Sequence, residues 1–256
     1  MCITCGCSGE QHHDHTHGHD HHHDHAPLGA VHDHEMGATR AVSVEQDILA
    51  ENNRYAAQNR AAFLAHKIVA LNLMSSPGAG KTTLLTKTLE AGRFKAGVIE
   101  GDQSTDFDAE RIRATGAPAV QINTGAGCHL DGHMVGHALE DLKVDEGTLD
   151  GGVMFIENVG NLVCPASFDL GEAAKVVLLS VTEGDDKPLK YAPMFAAADL
   201  MLLTKIDLLP HVPFDVERCL GFARQINPKL TILQLSATSG EGMSAWLEWI
   251  EGVGKV

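Results

Sequence analysis

Ser75-Ser76-Pro77-Gly78-Ala79-Gly80-Lys81-Thr82-Thr83 follows the apolar run Ile68-Val69-Ala70-Leu71-Asn72-Leu73-Met74 and precedes a helical pattern. A strand, a loop and a helix in that order are what a P-loop needs. Glycines let backbone N–H groups curl around phosphate oxygens, a lysine reaches the β- and γ-phosphates, and a hydroxyl is placed on Mg²⁺. Pro77, Gly78, Ala79, Gly80, Lys81, Thr82 and Thr83 are therefore expected to hold the phosphates of a nucleoside triphosphate, with Thr82 at the magnesium ion. The chain departs from G-x-x-x-x-G-K-S/T at one place, where Ser75 stands for the first glycine. The competing reading is a Gly/Ser turn that happens to contain a lysine, and the agreement of strand, loop and helix signals weighs against it.

Beyond the P-loop, short runs rich in Val, Ile and Leu alternate with helical patterns at 68–74, 96–100, 119–123, 152–157, 176–181, 200–204 and 231–235. Strand-length apolar runs separated by helices predict an α/β fold, a P-loop NTPase whose mostly parallel sheet is covered by helices on both faces. Functional groups should then gather at the C-terminal ends of the strands. Upstream, Ser43 with Gln46 resembles a capping box, and Val44, Ile48, Leu49, Ala56, Phe63 and Leu64 form a loose helical stripe ending near Lys67. The expected organisation is a Cys/His-rich metal-binding tail over 1–35, an N-terminal helix over 36–67 and a P-loop nucleotide-binding domain over 68–256.

The tail lacks apolar periodicity and holds eleven of the 16 histidines, between His12 and His34, so it is expected to be disordered. It also carries six acidic residues and no Lys or Arg. The chain as a whole has a formal net charge of −15 and the remainder after the tail −9. An acidic balance of that size excludes a nucleic-acid backbone as the expected partner. At 256 residues and 44% hydrophobic the chain can bury a full core. No segment reaches the roughly 18 consecutive apolar residues of a membrane span, and no secretory signal pattern opens the sequence. The expected compartment is the cytoplasm, where six cysteines read as metal ligands or core thiols rather than disulfides.

The choice of base follows from Thr204-Lys205-Ile206-Asp207, which ends an apolar run and resembles the N/T-K-x-D element of GTPases. The Asp207 carboxylate can accept from both guanine N1–H and the exocyclic amine, a donor pair adenine lacks. Ser236-Ala237-Thr238, after the next run, resembles the companion loop whose backbone donors meet guanine O6. Glu157-Asn158-Val159-Gly160 resembles D/E-x-x-G, in which the acid orients Mg²⁺ or its water and the glycine N–H meets the γ-phosphate. Asp102 is a second acid at a strand end. Acids at such positions are also commonly just solvated.

Two metal constellations are separate from these. Cys2, Cys5 and Cys7 lie within six residues of the start, and loss of Met1 would add the Cys2 amine to the three thiolates. Such a set suits square-planar Ni(II) or tetrahedral Zn(II), and a redox or incidental thiol cluster is the alternative. The His/Asp-rich stretch behind it reads as a low-affinity metal reservoir; interspersed Asp, Gly and Thr argue against an expression tag. Cys128 and His129 open a segment in which His129, His133 and His137 follow at i+4 spacing, expected on one helix face. Cys164 lies four residues after Gly160, close enough for a rearrangement of that loop on GTP hydrolysis to move it. A Cys128/His129/Cys164 site offers three ligands, so a water or a second subunit must complete it. Burial of Cys128 and Cys164 as ordinary core thiols is the other reading, and Cys219 reads as core.

Taken together, the chain resembles the HypB family, the nickel-incorporation GTPases of NiFe-hydrogenase maturation. The resemblance rests on the Cys2/Cys5/Cys7 head, the His-rich segment, the P-loop, Gly101-Asp102-Gln103, Asn123-Thr124-Gly125, Cys128-His129-Leu130-Asp131, the string Glu157 through Pro165 (ENVGNLVCP) and Thr204 through Pro210 (TKIDLLP). It implies slow GTP hydrolysis to GDP coupled to nickel transfer, with Lys81, Asp102 and Glu157 as catalytic residues. Magnesium would lie at Thr82, Asp102 and Glu157, and nucleotide contacts would include Gly160, Lys205, Asp207, Ser236 and Ala237. Nickel, with zinc possible at the same sites, would sit at Cys128, His129 and Cys164 and at Cys2, Cys5 and Cys7. The implied partners are a second copy of the chain, recruited by GTP and metal, a HypA-type metallochaperone and the hydrogenase large-subunit precursor. A nickel-storage protein would explain head and tail but not the guanine motif. A sister GTPase serving urease would carry a Cys-Pro-His motif, which this sequence lacks.

Overall fold

The computed structural model describes residues 34–102, 107–125 and 127–253, with side chains from Gln46 onward. Cys2, Cys5, Cys7 and the histidines of the tail up to His32 lie outside the described residues. Seven strands form one parallel sheet: β1 (Val69–Ser75), β2 (Ala96–Asp102), β3 (Ala119–Asn123), β4 (Val153–Glu157), β5 (Ala174–Ser180), β6 (Leu200–Thr204) and β7 (Thr231–Gln234). Their spatial order is β3-β2-β4-β1-β5-β6-β7. The expected fold class is the observed one, with strand limits shifted by one or two residues at half of the ends.

The five interior strands, β2, β4, β1, β5 and β6, are buried on both faces, which is why they read as largely continuous apolar runs. Helix α2 (Lys81–Glu90) follows β1, and α3 (Phe107–Arg113) follows β2. The chain next forms α4 (Gly132–Asp141) after β3, then the short α5 (Lys187–Lys190) and α6 (Ala192–Ala197) after β5. Finally, α7 (Val216–Ile226) leads into β7 and α8 (Met243–Val253) closes the described chain. One core, built from Leu71, Leu73, Phe155, Val176 and Leu202, packs under α2 and α8, where buried Trp246 donates its indole N–H to Thr88 Oγ1 at 2.8 Å. On the opposite face Ile99, Ile156 and Val135 pack under α4, and Met194, Phe195 and Leu220 under α6 and α7. Because the chain leaves β1 for β2 and β3 on one side and later for β5, β6 and β7 on the other, a crevice opens at the C-terminal end of β1.

The first helix, α1, runs His34–Ala65. It continues through Ser43, so the capping-box start does not hold. The Ala, Glu, Met and Arg residues between 34 and 43 sustain a helix already begun. Its inner face is a polar stripe that periodicity alone misses: Asn52 and Asn59 are buried beside Ala56 and Phe63. Asn52 accepts from Gly132 N–H at 2.8 Å and donates to Asp169 O at 2.8 Å. Asn59 donates to Gly132 O at 2.7 Å and Leu170 O at 3.1 Å. Gly171, at φ +92°, lets the 169–172 turn come so close that a Cβ there would lie 2.7 Å from Ala56 O. These bonds fasten α1 to the head of α4 and to the turn before β5. Asn59→Ala strands two buried carbonyls, so we expect a loss of about 2–3 kcal/mol in urea unfolding. A change under about 0.5 kcal/mol would mean the helix is held by its apolar contacts alone.

Candidate nucleotide and metal site

The P-loop leaves β1 at Ser75 and enters α2 through Gly80 (φ 100°), which caps the helix with no side chain. The first-turn N–H groups are thus presented to a ligand rather than to a cap. Ser75 has no positive φ, which explains why a glycine is not needed there. Its Oγ accepts from Lys81 Nζ at 2.9 Å and donates to Ser76 O at 2.6 Å. Lys81 is only 8% exposed. Burial lowers its pKa, opposed by Glu157, Asp108, Glu100 and Glu183 in that order.

A cavity of about 530 Å³ lies above this loop, lined by Lys81, Thr82, Glu100, Asp102, Glu157 and Gly160 among others. Thr82 Oγ1 donates to Glu157 Oε1 at 3.0 Å, while Glu157 Oε2 is buried with no hydrogen-bond partner among the described residues. Desolvation pushes the Glu157 pKa up to about 7 against the pull of Lys81 and of the Thr82 hydrogen bond. A carboxylate oxygen held bare beside a P-loop hydroxyl is the donor chemistry a hard divalent cation takes, so Thr82, Asp102 and Glu157 fit magnesium. Gly160 packs on the P-loop, where a Cβ would meet Pro77 N, Cα and Cγ at 3.0 Å each. Any shift of the phosphate loop is therefore felt at Gly160.

A second cavity, of about 230 Å³, lies against the far side of the P-loop, with Lys205, Asp207, Ser236, Ala237 and Thr238 among its lining residues. Lys205 adopts φ 59° and spans to the P-loop, its Nζ donating to Gly78 O at 2.7 Å. Thr204 Oγ1 donates to Ala79 O at 2.8 Å. The two motifs that sequence places at the base thus flank one hollow, next to the phosphate cavity.

Cys128, His129 and Cys164 offer three donor atoms within 4.8 Å of one another. Cys164, 3% exposed, sits at the start of a 3₁₀ turn, Cys164–Ser167. The two sulfurs are 2.8 Å apart and Cys128 Sγ is 3.5 Å from His129 Nδ1. Thiolates on one tetrahedral zinc stand roughly 3.7 Å apart, so such an ion would spread this pair by about 1 Å. Burial lowers the His129 pKa, with Asp131 opposing, and the ring packs on Phe168 at 3.9 Å between centroids.

His129 is not on the helix with His133 and His137, a correction to the i+4 expectation. Asp131 caps α4, accepting from Met134 N at 2.8 Å, and leaves His129 in the preceding loop. An Asp ahead of an apolar run is the N-cap signal that could have shown this. His133 and His137 do share a face of α4, with their Nε2 atoms 3.1 Å apart on the exposed side.

Sequence reading also missed the residues that join the cavities to the thiols. Asn158 Oδ1 accepts from Leu130 N at 3.0 Å, and Asn158 Nδ2 donates to Asn72 Oδ1 at 3.2 Å. Asn161 Nδ2 reaches Cys128 O at 3.4 Å. The segment from Glu157 to Cys164 therefore touches the phosphate cavity at one end and the Cys128–Leu130 loop along its length.

A parallel sheet with a P-loop at its switch point, a carboxylate floor and a flanking T-K-x-D hollow define a P-loop nucleotide-binding protein of the GTPase type. The family described as CobW/HypB/UreG, nucleotide-binding domain, matches residues 69–234. The chain belongs to this family and, within it, to the HypB hydrogenase maturation factors. It is 65% identical to hydrogenase maturation factor HypB of Azotobacter chroococcum mcd 1, across 86% of this chain and 72% of that protein. The factor of the same name in Escherichia coli K12 is 51% identical across 98% of both chains. Among solved structures, HypB from Helicobacter pylori in complex with nickel has a TM-score of 0.77 at 40% identity, covering 80% of this chain and 95% of that one. Among the described residues, no helix is long and apolar enough to cross a membrane.

Proposed function

We propose that the chain hydrolyses GTP to GDP and phosphate and uses the cycle to bind and hand over Ni(II) during NiFe-hydrogenase maturation. The observation that carries this is the Glu157–Cys164 segment, which puts a phosphate-facing carboxylate and a buried thiol on one short piece of chain. Lys81 and the α2 N-terminus bind the phosphates, and Asp102 and Glu157 orient the attacking water. Lys205, Asp207, Ser236 and Ala237 hold guanine. When bound at Thr82, Asp102 and Glu157, magnesium would neutralise charge on the β- and γ-phosphates. Gly160 senses the γ-phosphate, and Asn158 and Asn161 pass its movement to the Cys128–His129 loop.

Nickel is cargo in this scheme. Thiolate and imidazole donors suit Ni(II) and also Zn(II), and the relative from Helicobacter pylori was solved with nickel. With three ligands per chain the site is undersupplied, so two copies facing each other complete it, and GTP and metal together favour the homodimer. The tail over 1–35 with its Cys2/Cys5/Cys7 head supplies further metal. The setting is the cytoplasm, and the partners are a HypA-type metallochaperone and the hydrogenase large-subunit precursor.

The test is Ni²⁺ titration with sedimentation in three states: GDP, a non-hydrolysable GTP analogue and no nucleotide. Linkage requires that any factor by which GTP changes metal affinity also appear in GTP affinity when metal is added. We expect both to change by at least about 5-fold and Cys164→Ala to abolish the coupling while GTP binding persists. Mass and affinity independent of nucleotide, with Cys164→Ala altering neither, would overturn it.

A further inference from the structure

Asn72 is the one polar side chain in the run Val69 to Met74 of β1, and it is fully buried. It shares its face of the sheet with Ala70 and with Ile156, its register partner on β4, both of them core residues. Packing alone calls for no amide there, and a buried amide is costly unless it is hydrogen-bonded. Asn72 Oδ1 accepts from Asn158 Nδ2 and Asn72 Nδ2 donates to Glu172 Oε1, both at 3.2 Å. Both partners are themselves buried.

The two arms lead to the two halves of the thiol site. On one side Asn158 Oδ1 accepts from the N–H of Leu130, the residue next to His129 and two beyond Cys128. On the other, Glu172 Oε1 lies 3.6 Å from Lys175 Nζ, while Glu172 Oε2 is fixed by Leu170 N at 2.6 Å. Lys175 Nζ donates to Ala166 O at 3.2 Å and to Phe168 O at 3.0 Å. Ala166 belongs to the turn that opens with Cys164, and the Phe168 ring is the one packed on His129. A chain of polar contacts thus begins and ends at the strings that carry Cys128, His129 and Cys164. Its middle member stands on the strand that delivers the P-loop, three residues or roughly 10 Å before Ser75.

We propose that Asn72 is a positioning residue for the metal site: through Asn158 on one side and Glu172 and Lys175 on the other, it fixes the gap between the loop of Cys128 and His129 and the turn of Cys164, and so sets how tightly the three donors hold Ni²⁺. This rests on reading those donors as the nickel site.

The experiment is titration of the full chain with Ni²⁺, free ion being set by a chelating buffer and bound ion read by thiolate-to-nickel charge-transfer absorption. The signal that counts is the part that Cys128→Ala removes in each background. Asn72→Leu should weaken that site about 10-fold or more, the usual cost of losing an outer partner. Asn72→Asp alone sets two carboxylates face to face and should be at least as weak. Asn72→Asp combined with Glu172→Gln exchanges donor and acceptor while keeping one carboxylate and both bonds, so the pair should return to within about 3-fold of native. Native affinity in Asn72→Leu overturns the proposal, whether or not urea stability falls, as does a swapped pair no better than Asn72→Asp alone. If Asn72→Leu does not fold, Asn72→Ser replaces it under the same criterion. If the native chain shows no nickel signal that Cys128→Ala removes, the nickel reading of the three donors has failed, and this proposal with it.

Discussion

Asp207→Asn should weaken GTP binding by about 100-fold and turn preference toward xanthosine triphosphate. Guanine offers two adjacent donors, and an ionised carboxylate accepts both; each hydrogen bond to a charged group contributes about 1.5–3 kcal/mol. An amide can accept from one donor but turns an N–H toward the other, so about 3 kcal/mol is lost, which is about 100-fold. Xanthine replaces the exocyclic amine with an oxo group that the new amide can meet. The hollow itself should survive, because Lys205 is held by Gly78 and Thr204 by Ala79, neither through Asp207. Competition between labelled GTP and each unlabelled triphosphate reads the result. Unchanged GTP affinity would remove Asp207 from the base site.

Glu157→Gln should separate stability from activity. In the metal-free, nucleotide-free protein, burial holds the Glu157 carboxyl near pKa 7 against an ordinary 4.5. The native state then binds more protons than the unfolded chain between those values, so stability present below about pH 4.5 drains away as pH rises through 7. At pH 8 the ionised group costs on the order of 3 kcal/mol. Glutamine keeps the shape and the bond from Thr82 without the charge. It should raise unfolding free energy in EDTA by up to about 3 kcal/mol at pH 8 and by little near pH 5. GTP hydrolysis should fall about 100-fold or more, since a group acting on transition-state charge is lost. Equal effects of the substitution at both pH values would show that Glu157 is not a charged, desolvated carboxylate in the empty site.

The sheet was legible because both-face burial forces unbroken Val/Ile/Leu runs, and the P-loop because its spacing is dictated by phosphate geometry. Ser75 shows the limit of a motif: the position asks for a backbone that serine can adopt, and the hydroxyl serves Lys81. The structure brings Cys128, His129 and Cys164 together from two strings 36 residues apart, since each string follows a strand end on the same rim of the sheet. The docking of α1 was not legible, because Asn52 and Asn59 look like surface residues until their carbonyl partners from distant turns are in place.

The burial of Cys164 turns that thiol into a clock. Cys219, the other deeply buried cysteine among the described residues, is expected to be silent to alkylating reagents at neutral pH because burial pushes its thiol up to about 12. Modification of Cys164 proceeds only while the turn that covers it is open, so at reagent concentrations where alkylation outpaces reclosing its rate counts openings per second. The half-buried Cys128 provides the fast reference in the same molecule. Followed by peptide mass with each nucleotide in turn, the ratio of the two rates times the loop's excursions without any metal being present.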